Sequence, residues 1–238
     1  MILTAHQPSY LPWLGYFHKI ALSDLFCVFD VAQYQTNDFN NRNRIKTNTG
    51  PMWLSVPVLS KNHFHLRLAD AEVINRGWNR KHWRSILLAY QWAPYFADYA
   101  PELEEIILHR TFTRLTDLNT EMLRMFLRWL DINVPIVFAT DYDLQGKKSD
   151  LVLDMCLKLK ASTYIFGALG RDYADVAAFR AAGVEPYFQD YKHPEYRQLN
   201  GPFVPYMSII DLVFNEGPRS KDIIMSGNIT KSELPRGV

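Results

Sequence analysis

The amino-acid sequence predicts an α/β fold built on a parallel sheet. Short apolar runs recur along the chain, segments with helical periodicity separate them, and the first thirty residues alone read strand, loop, helix, strand. A chain that opens on such a βαβ unit implies a Rossmann-like core, with ligands at the carboxyl ends of its strands.

The elements come in order. Residues 1–5 (MILTA) form a first strand. Pro8 and Pro12 forbid regular structure, so residues 6–14 are a loop. Residues 15–22 (GYFHKIAL) form a helix and residues 24–31 (DLFCVFDV) a second buried strand. Residues 32–52 read as a polar loop dense in Asn, Gln and Arg. Residues 53–58 (WLSVPV) read as a strand, with Pro57 at an edge or bulge. HFHLRLADAEVI supplies one more short strand. Trp78 to about Tyr90 is helical by pattern; Pro94 and Pro101 break the next stretch, and residues 102–130 hold one or two helices. The block 78–130 is therefore a helix-rich insertion. Strands return at 134–140, 163–167 and 185–191, alternating with helices at 149–159 and around 173–182, and residues 207–214 form a short helix. The expected organisation is one α/β domain over 1–217, with 218–238 a loosely ordered tail.

Composition narrows the function. The 238 residues carry a formal net charge of +1, without the basic footprint of a nucleic-acid binder. MILTAHQP lacks the basic and apolar regions of a signal peptide, and no apolar run approaches the ~18 residues that span a bilayer. A cytoplasmic location is expected. Cys27 and Cys156 sit in apolar surroundings and read as reduced, buried thiols. No HExxH or paired CxxC appears, so no metal is expected, and no GxSxG points to a serine nucleophile.

Five constellations remain. The first runs from His6 and Gln7 through Ser9, Tyr10, Trp13, Gly15 and Tyr16, between a strand and a helix, where free N–H groups suit phosphate. Enzymes of the HIGH type carry His-x-Gly-His at such a junction. Here Trp13-Leu14-Gly15-Tyr16 keeps the glycine and replaces both histidines, so the junction looks HUP/nucleotidylyltransferase-like without that chemistry. The second joins Asp30, Gln33 and Tyr34 to Asn41, Arg42, Asn43, Arg44 and Lys46, a set suited to phosphate, carboxylate or sugar hydroxyls. Its bland alternative is a solvated loop with an Asp–Arg pair. The third is Lys81-His82 near a helix start, alternatively a surface pair. The fourth is the Gly-rich turn around Gly167, Gly170 and Arg171. The fifth centres on His193, either a base or a structural turn histidine.

Together, HQPSYLPWLGYFHKI, SDLFCVFD, QYQTNDFNNRNRIK, WLSVPV, KHW, APYF, ASTYIFGALGRDY and PYMSIIDLVFNEG resemble the WbqC-like family from His6 to about Gly217. The sequence departs at Phe166-Gly167-Ala168-Leu169, where Ser-Gly-Pro-Ser is commoner. The resemblance implies a role in bacterial O-antigen and lipopolysaccharide biosynthesis. It suggests transfer of glycine or another acyl group onto the amine of a nucleotide-linked amino sugar. The expected ligands are a nucleotide sugar and an acyl or amino-acid donor. In that reading His6 is the general base at an ordinary imidazole pKa, Asp30 orients it or a sugar hydroxyl, and Lys19 and His193 are further catalytic candidates. Gly15, Arg42 and Lys46 hold a diphosphate, and Tyr10, Trp13 and Tyr34 stack on the ligand. The rival readings are an adenylating or nucleotidyl-transferring enzyme of the same fold and a non-catalytic sugar-nucleotide-binding subunit.

Overall fold

The computed structural model describes residues 1–59 and 65–235. Its centre is a five-stranded sheet of β1 (Ile2–His6), β2 (Leu25–Val28), β5 (Ile136–Phe138), β6 (Thr163–Phe166) and β7 (Glu185–Phe188), in the spatial order β5-β2-β1-β6-β7. Every neighbouring pair is parallel. The predicted Rossmann-like α/β class is therefore observed. The central strands β1 and β6 are largely apolar on both faces because helices cover both, and Thr4, a polar residue within β1, donates its hydroxyl to the Ile165 carbonyl at 2.8 Å.

The chain leaves β1 toward β2 and β5 on one side and returns to place β6 and β7 on the other. The order thus reverses between β1 and β6, whose carboxyl ends, at His6 and Phe166, lie side by side at the switch point where open α/β sheets bind ligands. Helix α1 (Leu14–Ala21) comes after the loop that leaves β1; α5 (Ser149–Lys158) and α6 (Val176–Ala181) connect the later strands.

Between β2 and β5 the chain makes the expected insertion of helices α2 (Trp78–Tyr90), α3 (Phe96–Glu104) and α4 (Leu115–Trp129). It also makes a hairpin that the sequence pattern does not reveal. Residues 42–47, expected as loop, form β3 (Arg42–Thr47), paired antiparallel with β4 (Gly50–Ser55), which ends before Pro57. Period two explains it: Asn43 and Ile45 are buried on one face while Arg42 and Arg44 lie on the other. Pro101 lies inside α3 rather than ending it, because burial of Ala100 and Leu103 outweighs one lost backbone bond; a π-helical turn, Glu105–His109, comes directly after. The strand expected in HFHLRLADAEVI begins outside the described residues, and its remainder holds a 3-10 turn, Leu68–Asp70, with isolated bridges at Arg67, Glu72 and Val73.

Helix α7 (Ile209–Glu216) is buried along its length. Beyond Gly217, where the sequence reads as a fading tail, the chain forms α8 (Ser220–Met225), and Ile224 and Leu234 are buried. His18 donates from Nε2 to the Ile229 carbonyl at 3.1 Å and so holds this segment against α1. Cys27 and Cys156 are buried and free, and burial pushes the Cys27 thiol up to about 12. No helix among the described residues is long and apolar enough to cross a membrane.

Candidate functional site

The loop after β1 is held rigidly. Asn40 Nδ2 donates to Gln7 Oε1 at 3.1 Å and to the Pro8 carbonyl at 3.0 Å; Asn43 Nδ2 donates to the Leu11 carbonyl at 2.6 Å. Leu11 has φ of 46°, the left-handed region that a leucine adopts only when its surroundings enforce it. Tyr10 is fully buried and donates its hydroxyl to His82 Nδ1 at 2.9 Å. Burial lowers the His82 pKa to about 4, so the ring is a neutral acceptor. Of the sequence candidates, Tyr10, Asn43 and His82 thus clamp the loop, Tyr34 is buried core, and Lys81 and Gln33 are exposed, Gln33 in a bridge with Arg67.

His6 lies at the open end of this loop. Its Nδ1 donates to the Gln7 carbonyl at 3.0 Å, which leaves Nε2 as the acceptor nitrogen. The ring packs edge-on against Tyr16 at 4.8 Å and Trp13 at 5.3 Å. Desolvation first, and the nearby Lys19 charge second, lower its pKa to about 3. The premise of an ordinary imidazole pKa therefore does not hold: His6 is neutral at pH 7 but a weak base.

Lys19 supplies what His6 lacks. It is 2% exposed, its Nζ donates to the Ala5 carbonyl at 2.9 Å, and burial alone lowers its pKa to about 7. A buried amine at the carboxyl end of the central strand, without a carboxylate partner among the described residues, is held near the pH where it exchanges protons most readily.

Other predicted roles resolve differently. Asp30 is buried and receives bonds from the Thr140 backbone N–H at 3.0 Å and hydroxyl at 2.8 Å; its carboxylate ties the end of β2 to the residues after β5 rather than to His6. His193 donates from Nδ1 to the Pro194 carbonyl at 2.9 Å and accepts from the Tyr206 backbone N–H at 3.2 Å, so both ring nitrogens are engaged. Over Gly15, a Cβ would lie 2.9 Å from the Tyr191 ring and 3.2 Å from the Trp13 indole nitrogen. That glycine admits two aromatic side chains where a phosphate was expected. Lys46 is buried, with its ammonium on the carbonyls of Pro202 at 2.6 Å and Gly201 at 3.3 Å. Gly167 sits at the end of β6, with open space where a Cβ would be, and Arg171 lies over the Phe188 ring at 5.0 Å, on the β6–β7 side of the switch point.

Two features escape sequence reasoning. One is an aromatic lane from His6 to Trp13 (5.3 Å), Phe39 (5.4 Å) and Trp53 (5.9 Å). Only the pairing of β3 with β4 brings Trp53 beside Arg42 and Arg44, and β3 has no apolar signature of its own. The other is a buried carboxylate, Asp211, which accepts from Tyr90 Oη at 2.9 Å, Tyr196 Oη at 2.8 Å and Gln198 Nε2 at 2.7 Å. It binds the irregular segment after β7 to α7 and α2, and its partners lie up to 121 positions away. The two concavities lined by Asp24 and Lys231 lie at the opposite, amino-terminal edge of the sheet.

A family model described as "WbqC-like protein family" matches residues 7–223. The chain is 35% identical over 219 residues to a protein of Mycobacterium tuberculosis (strain ATCC 25618 / H37Rv) described as "Uncharacterized protein Rv1507c", covering 92% of this chain and 95% of that protein. No solved structure matches the chain. With a family match spanning both the loop after β1 and the helical insertion, the chain belongs to the WbqC-like protein family.

Proposed function

We propose that this protein is an amide-forming transferase. It moves an acyl or aminoacyl group, glycine among the candidates, onto the amine of a nucleotide-linked amino sugar in bacterial surface-polysaccharide assembly. The observation that carries this reading is Lys19, buried at the carboxyl end of β1 beside His6, with its amine near pH 7 and no counter-ion among the described residues. The sugar nitrogen attacks the carbonyl carbon of an activated donor. The C–N bond forms, the bond to the donor's leaving group breaks, and that group departs with the electron pair. The surplus proton on nitrogen passes to the Lys19 amine, which in its neutral form keeps a lone pair while donating to Ala5. His6 Nε2, the more exposed acceptor, receives a hydrogen bond from the substrate and orients its amine.

The sheet order also suits an adenylating or nucleotidyl-transferring enzyme, but Trp13 and Tyr16 stand where that chemistry requires imidazoles. A pH–rate profile tests the assignment. With a working acceptor and donor, kcat/KM is expected to rise through about pH 7 as Lys19 loses its proton. A profile without that limb, or one kept intact in Lys19→Met, overturns it.

A further inference from the structure

Arg42 and Arg44 share the outer face of the β3–β4 hairpin. The register places Arg44 directly opposite Trp53, with Arg42 two residues along. Both guanidinium groups lie against the indole, Arg42 at 4.3 Å from the ring centroid and Arg44 at 5.6 Å. Both side chains are half-buried, and the Nε of each is buried without a hydrogen-bond partner. The bonds they do make are long: Arg42 to Asn37 Oδ1 at 3.4 Å and Arg44 to the Tyr206 carbonyl at 3.3 Å. Among the described residues no carboxylate lies within ion-pair distance of either.

Two like charges held side by side, partly desolvated and without a counter-ion, repel each other and keep unsatisfied donors. Cation–π contact with one indole offsets part of this and holds both guanidinium groups near the same ring. Such a pair fits an anion with several oxygens spread over two centres. The lane Trp53–Phe39–Trp13 joins it to His6 by ring-to-ring steps of 5.9, 5.4 and 5.3 Å.

We propose that Arg42 and Arg44, fixed on Trp53, form the seat for the substrate's diphosphate, from which the sugar runs along Phe39 and Trp13 to His6. Arg44 takes the place expected for Lys46, whose ammonium is held by Gly201 and Pro202. The inference rests on the transferase reading for the identity of the sugar, and on the hairpin alone for the diphosphate.

The test is isothermal titration of the full chain with inorganic pyrophosphate, a nucleoside diphosphate and, as a second diphosphate source, a short isoprenyl diphosphate. Wild type is expected to bind pyrophosphate and at least one ester. Arg44→Gln and Arg42→Gln are each expected to weaken binding about tenfold, the loss of one charge-assisted contact, and Arg44→Lys is expected to restore little because it loses the fork. If the glutamine variants prove unstable, the salt dependence of wild-type binding carries the test: a steep fall with added salt supports the seat and a flat response overturns it. Undiminished binding in a folded Arg42→Gln/Arg44→Gln double variant overturns the proposal. So does a wild type that binds no diphosphate, or one that binds the nucleoside diphosphate but not pyrophosphate. His6→Ala and Lys19→Met are expected to bind diphosphate like wild type. Loss of transfer in those two with binding intact separates the chemistry from the seat, transfer that survives in them overturns the roles of His6 and Lys19 alone, and no transfer by wild type that binds diphosphate sinks the transferase reading alone.

Discussion

Replacing Lys19 by methionine is expected to stabilise the protein and abolish its activity. The amine is 2% exposed, burial is the cause of its shift, and its hydrogen-bond partner is the Ala5 carbonyl. Its pKa falls from 10.5 to about 7. At ~1.4 kcal/mol for each tenfold change, that gap caps at about 5 kcal/mol the strain of holding an ammonium in the folded chain. Methionine fills similar volume without the charge. Losing the Ala5 bond offsets about 1 kcal/mol, and relaxation around the buried charge absorbs more. A net gain of about 2–3 kcal/mol remains, or about 5–10 °C in Tm for a chain of this size. The pH dependence gives the sign. The folded-state pKa of this base lies below its unfolded value, so the penalty is present in full below about pH 7 and vanishes above about pH 10.5. Urea denaturation of both proteins at about pH 6 and about pH 10 measures the difference, which is expected to be large at the first and near zero at the second. A variant less stable than wild type at pH 6, a gap that does not narrow, or retained transfer refutes the reasoning. A residue whose removal stabilises the fold and stops the chemistry is kept for function.

Two further outcomes rest on the same physics. The His6 ring, held down to about 3, is expected to show no NMR titration between about pH 5 and 8; because its folded value lies below 6.5, its contribution to stability is lost as pH falls from there toward 3. Asp211→Ala leaves the hydroxyls of Tyr90 and Tyr196 and the amide of Gln198 without their acceptor, and is expected to destabilise by about 3 kcal/mol, read as a lower denaturation midpoint at unchanged slope.

The parts of the fold that read clearly from sequence are those whose pattern is local. Strands β1, β2 and β6 are continuous apolar runs because both faces are covered, and Trp78–Tyr90 repeats at helical spacing between a positive-φ glycine and a proline-bearing stretch. Strand β3 stays hidden because its sequence, RNRIKT, is mostly polar: it belongs to a two-stranded hairpin whose outer face carries arginines. Pro101 misleads because tertiary burial of Ala100 and Leu103 overrides the local breaker. At the site, His6 is legible from its place after the first strand. Its surroundings are not. The depression of its pKa depends on packing by Trp13 and Tyr16 and on the folded approach of Lys19. Asp30 looks like a companion of His6 because a carboxylate ending a buried strand needs a partner; that partner is Thr140, 110 positions away. Asp211 draws its hydrogen-bond donors from α2 and the segment after β7, pairings that no local pattern encodes.

The most direct measurement is the mass of the acceptor. A nucleotide-linked amino sugar is incubated with activated glycyl and acyl donors and wild type, His6→Ala or Lys19→Met, and the sugar nucleotide is tracked by mass spectrometry. The expected result is a gain of one acyl group, with loss of one hydrogen from the amine, in wild type and not in Lys19→Met, with His6→Ala strongly slowed. An equal gain in all three proteins, or acylation of a sugar nucleotide that lacks the amine, contradicts the assignment of amide formation to His6 and Lys19.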